Sequence, residues 1–98
     1  MTKKALPKPV AQPKNLKEPE TVMQKKIFRI VAKVVENDFF GIDTSFYKAG
    51  LSSISAMKLC ILISDEFGVT VKTSDLHENN TVEKLEKYIM LAPKDQNL

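Results

Sequence analysis

The sequence predicts an all-α fold, a small bundle of four helices of which three are substantial and one is short. Three observations point there. Apolar residues recur at intervals of three and four in three separate stretches. Each stretch opens on a hydroxyl residue suited to capping a helix, at Thr21, Ser52 and Thr81, and two of them close at Gly68 and just before Pro93. The β-branched run outside them, Val69-Thr70-Val71, is too short and isolated to build a sheet.

The first helix is expected to start at Thr21, which with Gln24 has the spacing of a capping box, and to run until the pattern fades at Asn37-Asp38. Met23, Ile27, Ile30, Val31 and Val34 form its inward stripe, and Lys25, Lys26, Arg29 and Lys33 its solvated face. Phe39 to Leu51 keeps no period and contains Gly41, Asp43, Ser45 and Gly50, so it reads as a long ordered loop anchored by Phe40, Ile42, Phe46 and Tyr47. Loops of that length in a compact domain usually carry function. The second helix is expected from Ser53 to about Phe67, with Gly68 where a left-handed C-terminal cap falls. Thr73 to His77 reads as one short turn that buries Leu76. The last helix starts after Thr81, has Glu83 in its first turn and buries Val82, Leu85, Ile89 and part of Tyr88. A folded domain is thus expected over residues 20–91. A flexible Pro/Lys-rich linker precedes it over 1–19, with Pro7, Pro9 and Pro13 among lysines, and a fraying tail follows over 92–98.

Composition narrows the function. The formal charge of +3 belongs to the first 17 residues, which hold five lysines and no acid; the remainder sets 10 basic residues against 12 acidic ones. A folded basic face for nucleic acid is therefore not expected. No apolar run reaches 18 residues and no signal-peptide pattern occurs, which points to a cytoplasmic domain without a membrane partner. His77 is the only histidine and Cys60 the only cysteine, so neither a metal centre nor a disulfide framework is expected. Cys60 lies on the inward stripe and reads as a small core hydrophobe. A serine–histidine hydrolase would need a sheet that this sequence does not supply. At 98 residues, a large internal active site is not expected either.

The informative stretch is Gly50 to Ile63. Its helix has two apolar stripes: Ala56, Leu59, Cys60, Ile63 and Phe67 on one side, Ile54, Met57 and Ile61 roughly opposite. Only one stripe is needed for a core. The other suits a partner, although packing under the long loop or against the next helix is expected for at least one of its members. Two serines stand at the start, where backbone N–H groups lack intrahelical partners and the helix dipole favours negative charge. Ser52 suffices as the cap, which leaves the Ser53 hydroxyl free for modification.

The run Gly41-Ile42-Asp43-Thr44-Ser45-Phe46-Tyr47-Lys48-Ala49-Gly50-Leu51-Ser52-Ser53-Ile54 resembles the modification loop of peptidyl carrier (thiolation) domains from nonribosomal peptide synthetases. The resemblance continues through Ala56-Met57-Lys58-Leu59, Glu66-Phe67-Gly68-Val69 and Asp75-Leu76-His77-Glu78-Asn79-Asn80-Thr81-Val82, covering roughly residues 26–91. Ala5-Leu6-Pro7 is similar to the junction after an adenylation domain. The resemblance implies a bundle of acyl-carrier-protein type. It implies that Ser53 accepts a covalent 4′-phosphopantetheine arm from coenzyme A through a separate phosphopantetheinyl transferase, within the site loop Gly50, Leu51 and Ser52. The arm would carry aminoacyl or peptidyl thioesters, in a monomeric, non-catalytic domain. Adenylation, condensation and release (thioesterase or reductase) domains are the implied partners, docking through Ile54, Met57, Lys58, Ile61 and His77. Three departures stand out: Ser52 replaces the usual His or Asp, Ala49-Gly50-Leu51 replaces Leu-Gly-Gly, and His77 replaces an aromatic residue.

Two other readings remain at this level. A free-standing acyl carrier for fatty acid or polyketide synthesis is usually strongly acidic along the helix after the serine, whereas here Lys58 comes early and the acids are Asp65 and Glu66. A helical interaction module with a basic nucleic-acid-binding tail would use residues 1–17 and show steep salt dependence.

Overall fold

The structure is a computed structural model that describes residues 16–93. The linker read over 1–19 falls outside the described residues up to position 15, as do Ala5-Leu6-Pro7, most of the basic arm and residues 94–98 of the tail. Five helices follow in order: α1 Val22–Val35, α2 Phe46–Ala49, α3 Ser53–Phe67, α4 Thr73–Glu78 and α5 Val82–Leu91. No strand occurs among the described residues. Three long helices and a short α4 match the sequence reading. The second short helix, α2, corrects it, because it lies within the stretch read as loop.

α1 packs on both α3 and α5, and α4 closes against α3. The periodic residues meet in one core: Ile27 and Val31 from α1, Phe46 from α2, Leu59 and Ile63 from α3, Leu76 from α4, and Val82, Leu85 and Ile89 from α5 are fully buried. Phe40, Ile42 and Leu51 bring the connection between α1 and α3 into that core, and Phe28 stacks on Phe40 with ring centroids 4.5 Å apart. Tyr47, read as an anchor, lies outside the buried core and is 38% exposed, and Phe67 is half-buried.

The start of α1 is fastened to α5 by polar contacts. Thr21 Oγ1 accepts from the Gln24 amide at 2.9 Å, and Gln24 Oε1 accepts from the amides of Glu20 and Thr21 at 2.8 and 3.4 Å. Gln24 Nε2 and Thr21 Oγ1 then both donate to the Glu86 carboxylate, at 2.8 and 2.7 Å. Gln24 is buried, and each of its polar atoms is paired, as burial requires. A second clasp holds the long connection. The Phe46 amide donates to the Asn80 carbonyl at 2.7 Å, and the Glu83 amide to the Ile42 carbonyl at 3.0 Å. These bonds bring the α1–α3 connection against the α4–α5 junction and so fix where α3 begins.

Candidate functional site

α2 is a single turn capped by Ser45, whose Oγ accepts from the Tyr47 amide at 3.2 Å. It is stopped at Gly50, whose φ of 122° is a conformation that side chains other than glycine's rarely adopt. Asn37 braces the same turn by donating from Nδ2 to the Ala49 carbonyl at 3.1 Å. Leu51, at the position where the resembled loop has glycine, is buried, and its amide returns to the Phe46 carbonyl at 2.9 Å. The chain therefore reaches Ser52 from a fixed direction.

Ser52 is the N-cap of α3, as the sequence predicts. Its Oγ accepts from the Ser55 amide at 3.2 Å, while the Ser55 hydroxyl accepts from the Ser52 amide at 2.7 Å. The two serines close a capping box between them, with Ser55 taking the place usually held by Glu or Gln. Sequence reasoning missed the role of Ser55; the Ser-x-x-Ser spacing was its only signal. Ser53 takes no part in this box and is exposed. Its amide and that of Ile54 open the helix, where no preceding turn offers them a carbonyl.

Ser53 stands on the rim of a shallow groove of 440 Å³ between α2, α3 and α4, lined by Tyr47, Ala56, Met57, Thr73, Ser74 and His77. Tyr47 and His77 meet edge to face across it with ring centroids 6.0 Å apart, a contact that the sequence did not signal. The groove contains one imidazole and no carboxylate among its lining residues. Another hollow, of 450 Å³, lies beside the α4–α5 junction against Asp43, Lys48 and Lys84, and does not include Ser53.

The second stripe of α3 is free of the fold. Ile54 is 82% exposed, Met57 60% and Ile61 62%, with Lys58 also exposed among them. Met57 also lines the groove beside Tyr47 of α2 and Thr73 and His77 of α4, whereas Ile54 and Ile61 are not among the groove's lining residues. α1 and α4 pack on α3, whose buried residues are Ala56, Leu59, Cys60 and Ile63, and this stripe stays exposed. Cys60 is buried, and that burial, with Asp75 nearby, raises its thiol pKa above 9.0. It is a core residue and not a nucleophile. Among the described residues, no group of three or more His, Cys, Asp or Glu could hold a metal ion, and no helix is long and apolar enough to cross a membrane.

The family model described as "Phosphopantetheine attachment site" matches residues 25–89. Surfactin synthase subunit 2 of Bacillus subtilis (strain 168) is 35% identical over 88 residues, covering 87% of this chain and 2% of that protein. The chain thus spans a small fraction of the curated relatives that it matches. Two solved structures share the fold. One is a docking-domain complex of the Pax NRPS, with TM-score 0.76 and 20% identity over 82% of this chain and 77% of that one. The other is the phosphopantetheine transferase Sfp with coenzyme A and a peptidyl carrier protein, with TM-score 0.72 and 22% identity over 76% of this chain and 96% of that one.

Proposed function

Because the chain belongs to the phosphopantetheine-attachment family of carrier domains, we propose that Ser53 is its attachment residue and that it serves as a thiolation domain of a nonribosomal peptide synthetase. The observation that carries this reading is the division of labour at the start of α3. Ser52 and Ser55 satisfy the cap, so the exposed Ser53 hydroxyl is free to react without loss of the helix start.

The residues present fit the arm. The Ser53 oxygen would replace adenosine 3′,5′-bisphosphate on the phosphate of coenzyme A: the Ser53 O–P bond forms, the pyrophosphate P–O bond breaks, and the hydroxyl proton leaves to a base. We assign that base to the transferase. The resulting phosphodiester would lie at the N-terminal end of α3, where dipole and free amides favour an anion by roughly 0.3 to 1 kcal/mol. When attached, the arm supplies a thiol that holds aminoacyl or peptidyl groups as thioesters. Ser53 is a substrate, and this chain is a carrier without catalysis of its own.

Ile54, Met57 and Ile61, bordered by Lys58, would meet the transferase and then adenylation, condensation and release (thioesterase or reductase) domains, with His77 at the groove's far side. Each apolar side chain gains about 1.5 to 3 kcal/mol on full burial, and association itself consumes much of the sum. Docking is accordingly weak and reversible, as a monomeric cytoplasmic shuttle requires. Incubation with coenzyme A, magnesium and a broad-specificity transferase is expected to add one phosphopantetheine by intact mass. Ser53→Ala should abolish the addition. No mass gain, or an equal gain in that variant, overturns the assignment.

A further inference from the structure

Leu16 to Pro19 comes before the first helix, yet it is joined to the loop that leads to Ser53. The Ile42 amide donates to the Lys17 carbonyl at 2.9 Å, and the Ile42 carbonyl accepts from the Glu83 amide at 3.0 Å in the first turn of α5. Lys17 Nζ meets Glu83 Oε2 at 3.2 Å. Ile42, 3% exposed, is therefore held from both sides through its backbone. Gly41 permits the approach: a Cβ at that position would lie 2.8 Å from the Lys17 nitrogen and 3.1 Å from its oxygen, and both are backbone atoms that cannot swing aside. The connection continues towards the acceptor. The Phe46 amide donates to Asn80, the Phe46 carbonyl accepts from Leu51, and Ser52 follows as the cap of α3.

We propose that residues 16–19 are a positioning strap for the acceptor loop, so that the backbone joining this domain to the chain upstream sets how Ser53 is presented to its transferase. Composition places these residues at the end of a linker; their contacts make them part of the folded unit. A pull or twist on the upstream chain would act on Ile42 through the Lys17 carbonyl and on the start of α5 through the Lys17–Glu83 pair. The inference rests on the reading of Ser53 as acceptor.

The test uses the full chain, with amide hydrogen exchange by NMR and initial rates of arm addition from coenzyme A by a broad-specificity transferase. Gly41→Ala should speed exchange at the Ile42 amide by at least about tenfold while amides inside α1 and α5 keep their protection. The kcat/KM for arm addition should fall by about threefold or more, in line with one displaced loop contact. Lys17→Glu sets like charges together at Glu83 and should act in the same direction, and the swap Lys17→Glu with Glu83→Lys should restore both readouts. Faster Ile42 exchange with an unchanged loading rate overturns the positioning role. An Ile42 amide that neither Gly41→Ala nor Lys17→Glu disturbs overturns the strap. If Gly41→Ala strips protection from α1 and α5 as well, the Lys17→Glu variant and its swap decide. A wild-type chain that accepts no arm overturns the Ser53 assignment, and with it any role of the strap in presenting that residue.

Discussion

α1 and α3 are almost the same length, at 14 and 15 residues; both open on a capping box and both end on a left-handed residue, yet their outward faces differ in character. α1 turns Lys25, Lys26, Arg29 and Lys33 to solvent and fastens its cap to Glu86 on α5. α3 turns Ile54, Met57 and Ile61 to solvent and closes its cap with two serines of its own. A helix needs one apolar stripe to join a core, and α1 has one. The second stripe on α3 exposes apolar surface that the core does not use, which is the observation behind its proposed docking role. Lys26 of α1 does reach across to Glu66 of α3 at 3.4 Å, but both groups are half-exposed and a pair of that kind contributes little.

The sharpest way to break this comparison is to truncate one residue on each face of α3. Leu59 is fully buried, and Leu59→Ala should cost about 2 to 5 kcal/mol in chemical denaturation, from lost burial and the cavity left behind. Ile61→Ala, two residues on and 62% exposed, should stay within about 0.5 kcal/mol of wild type. Its effect should appear instead as a higher KM for the transferase. Equal losses of stability from the two variants would mean that the outer stripe belongs to the core after all.

The caps offer the next contrast. Gln24→Leu removes the acceptor for the Glu20 and Thr21 amides and the donor to Glu86 at a buried site, and should cost about 1 to 3 kcal/mol. Arm addition to the fraction that remains folded should proceed at the wild-type rate. Ser52→Ala removes one half of an exposed cap and should cost about 1 kcal/mol. It should slow arm addition without abolishing it, because Ser53 remains and only the helix start frays. Thermal melts beside single-turnover loading separate the two. A Ser52→Ala chain as inert as Ser53→Ala would make Ser52 part of the chemistry.

The long helices, their hydroxyl caps and the two stripes of α3 were legible in the sequence because each rests on residues at most a few positions apart. Periodicity placed Leu59 and Ile63 inward and Met57 and Ile61 outward without any structure. What the sequence hid depends on residues far apart. α2 is four residues long, barely one turn and too short for a period to repeat, and its first amide is satisfied by Asn80 from another part of the chain. Gln24 read only as the third residue of a cap, since its partner Glu86 lies 62 positions away. Lys17 read as linker because its backbone, and not its side chain, makes the contact with Ile42, and no composition rule registers a carbonyl. The family resemblance carried the identity of the site further than spacing could. Gly-x-x-Ser-Ile alone is a common string, whereas the run from Gly41 to Ile54 in order is not.

The smallest expected effect is a pH dependence that begins on the inward face of α3. Burial, aided by Asp75, raises the Cys60 thiol above 9.0, and Tyr88 is raised above 10.0 by burial and by Asp75. Lys17 is raised above its usual value by its hydrogen bond and attraction to Glu83, though its side chain is about half-exposed. In each case the folded state holds its proton more tightly than the unfolded chain does. The stability linked to these groups is therefore fully present below the unfolded values and is lost as pH rises through the folded ones. Denaturation midpoints should stay level from pH 7 to about 8.5 as far as these groups are concerned, and decline above pH 9, with Cys60→Ala removing the earliest part of the decline. Cys60 should also resist alkylation at pH 8 in the folded chain and react at once in denaturant. A thiol that alkylates freely in the native protein would place Cys60 on the outer face, and the division of α3 into a core side and a partner side would fail at its centre.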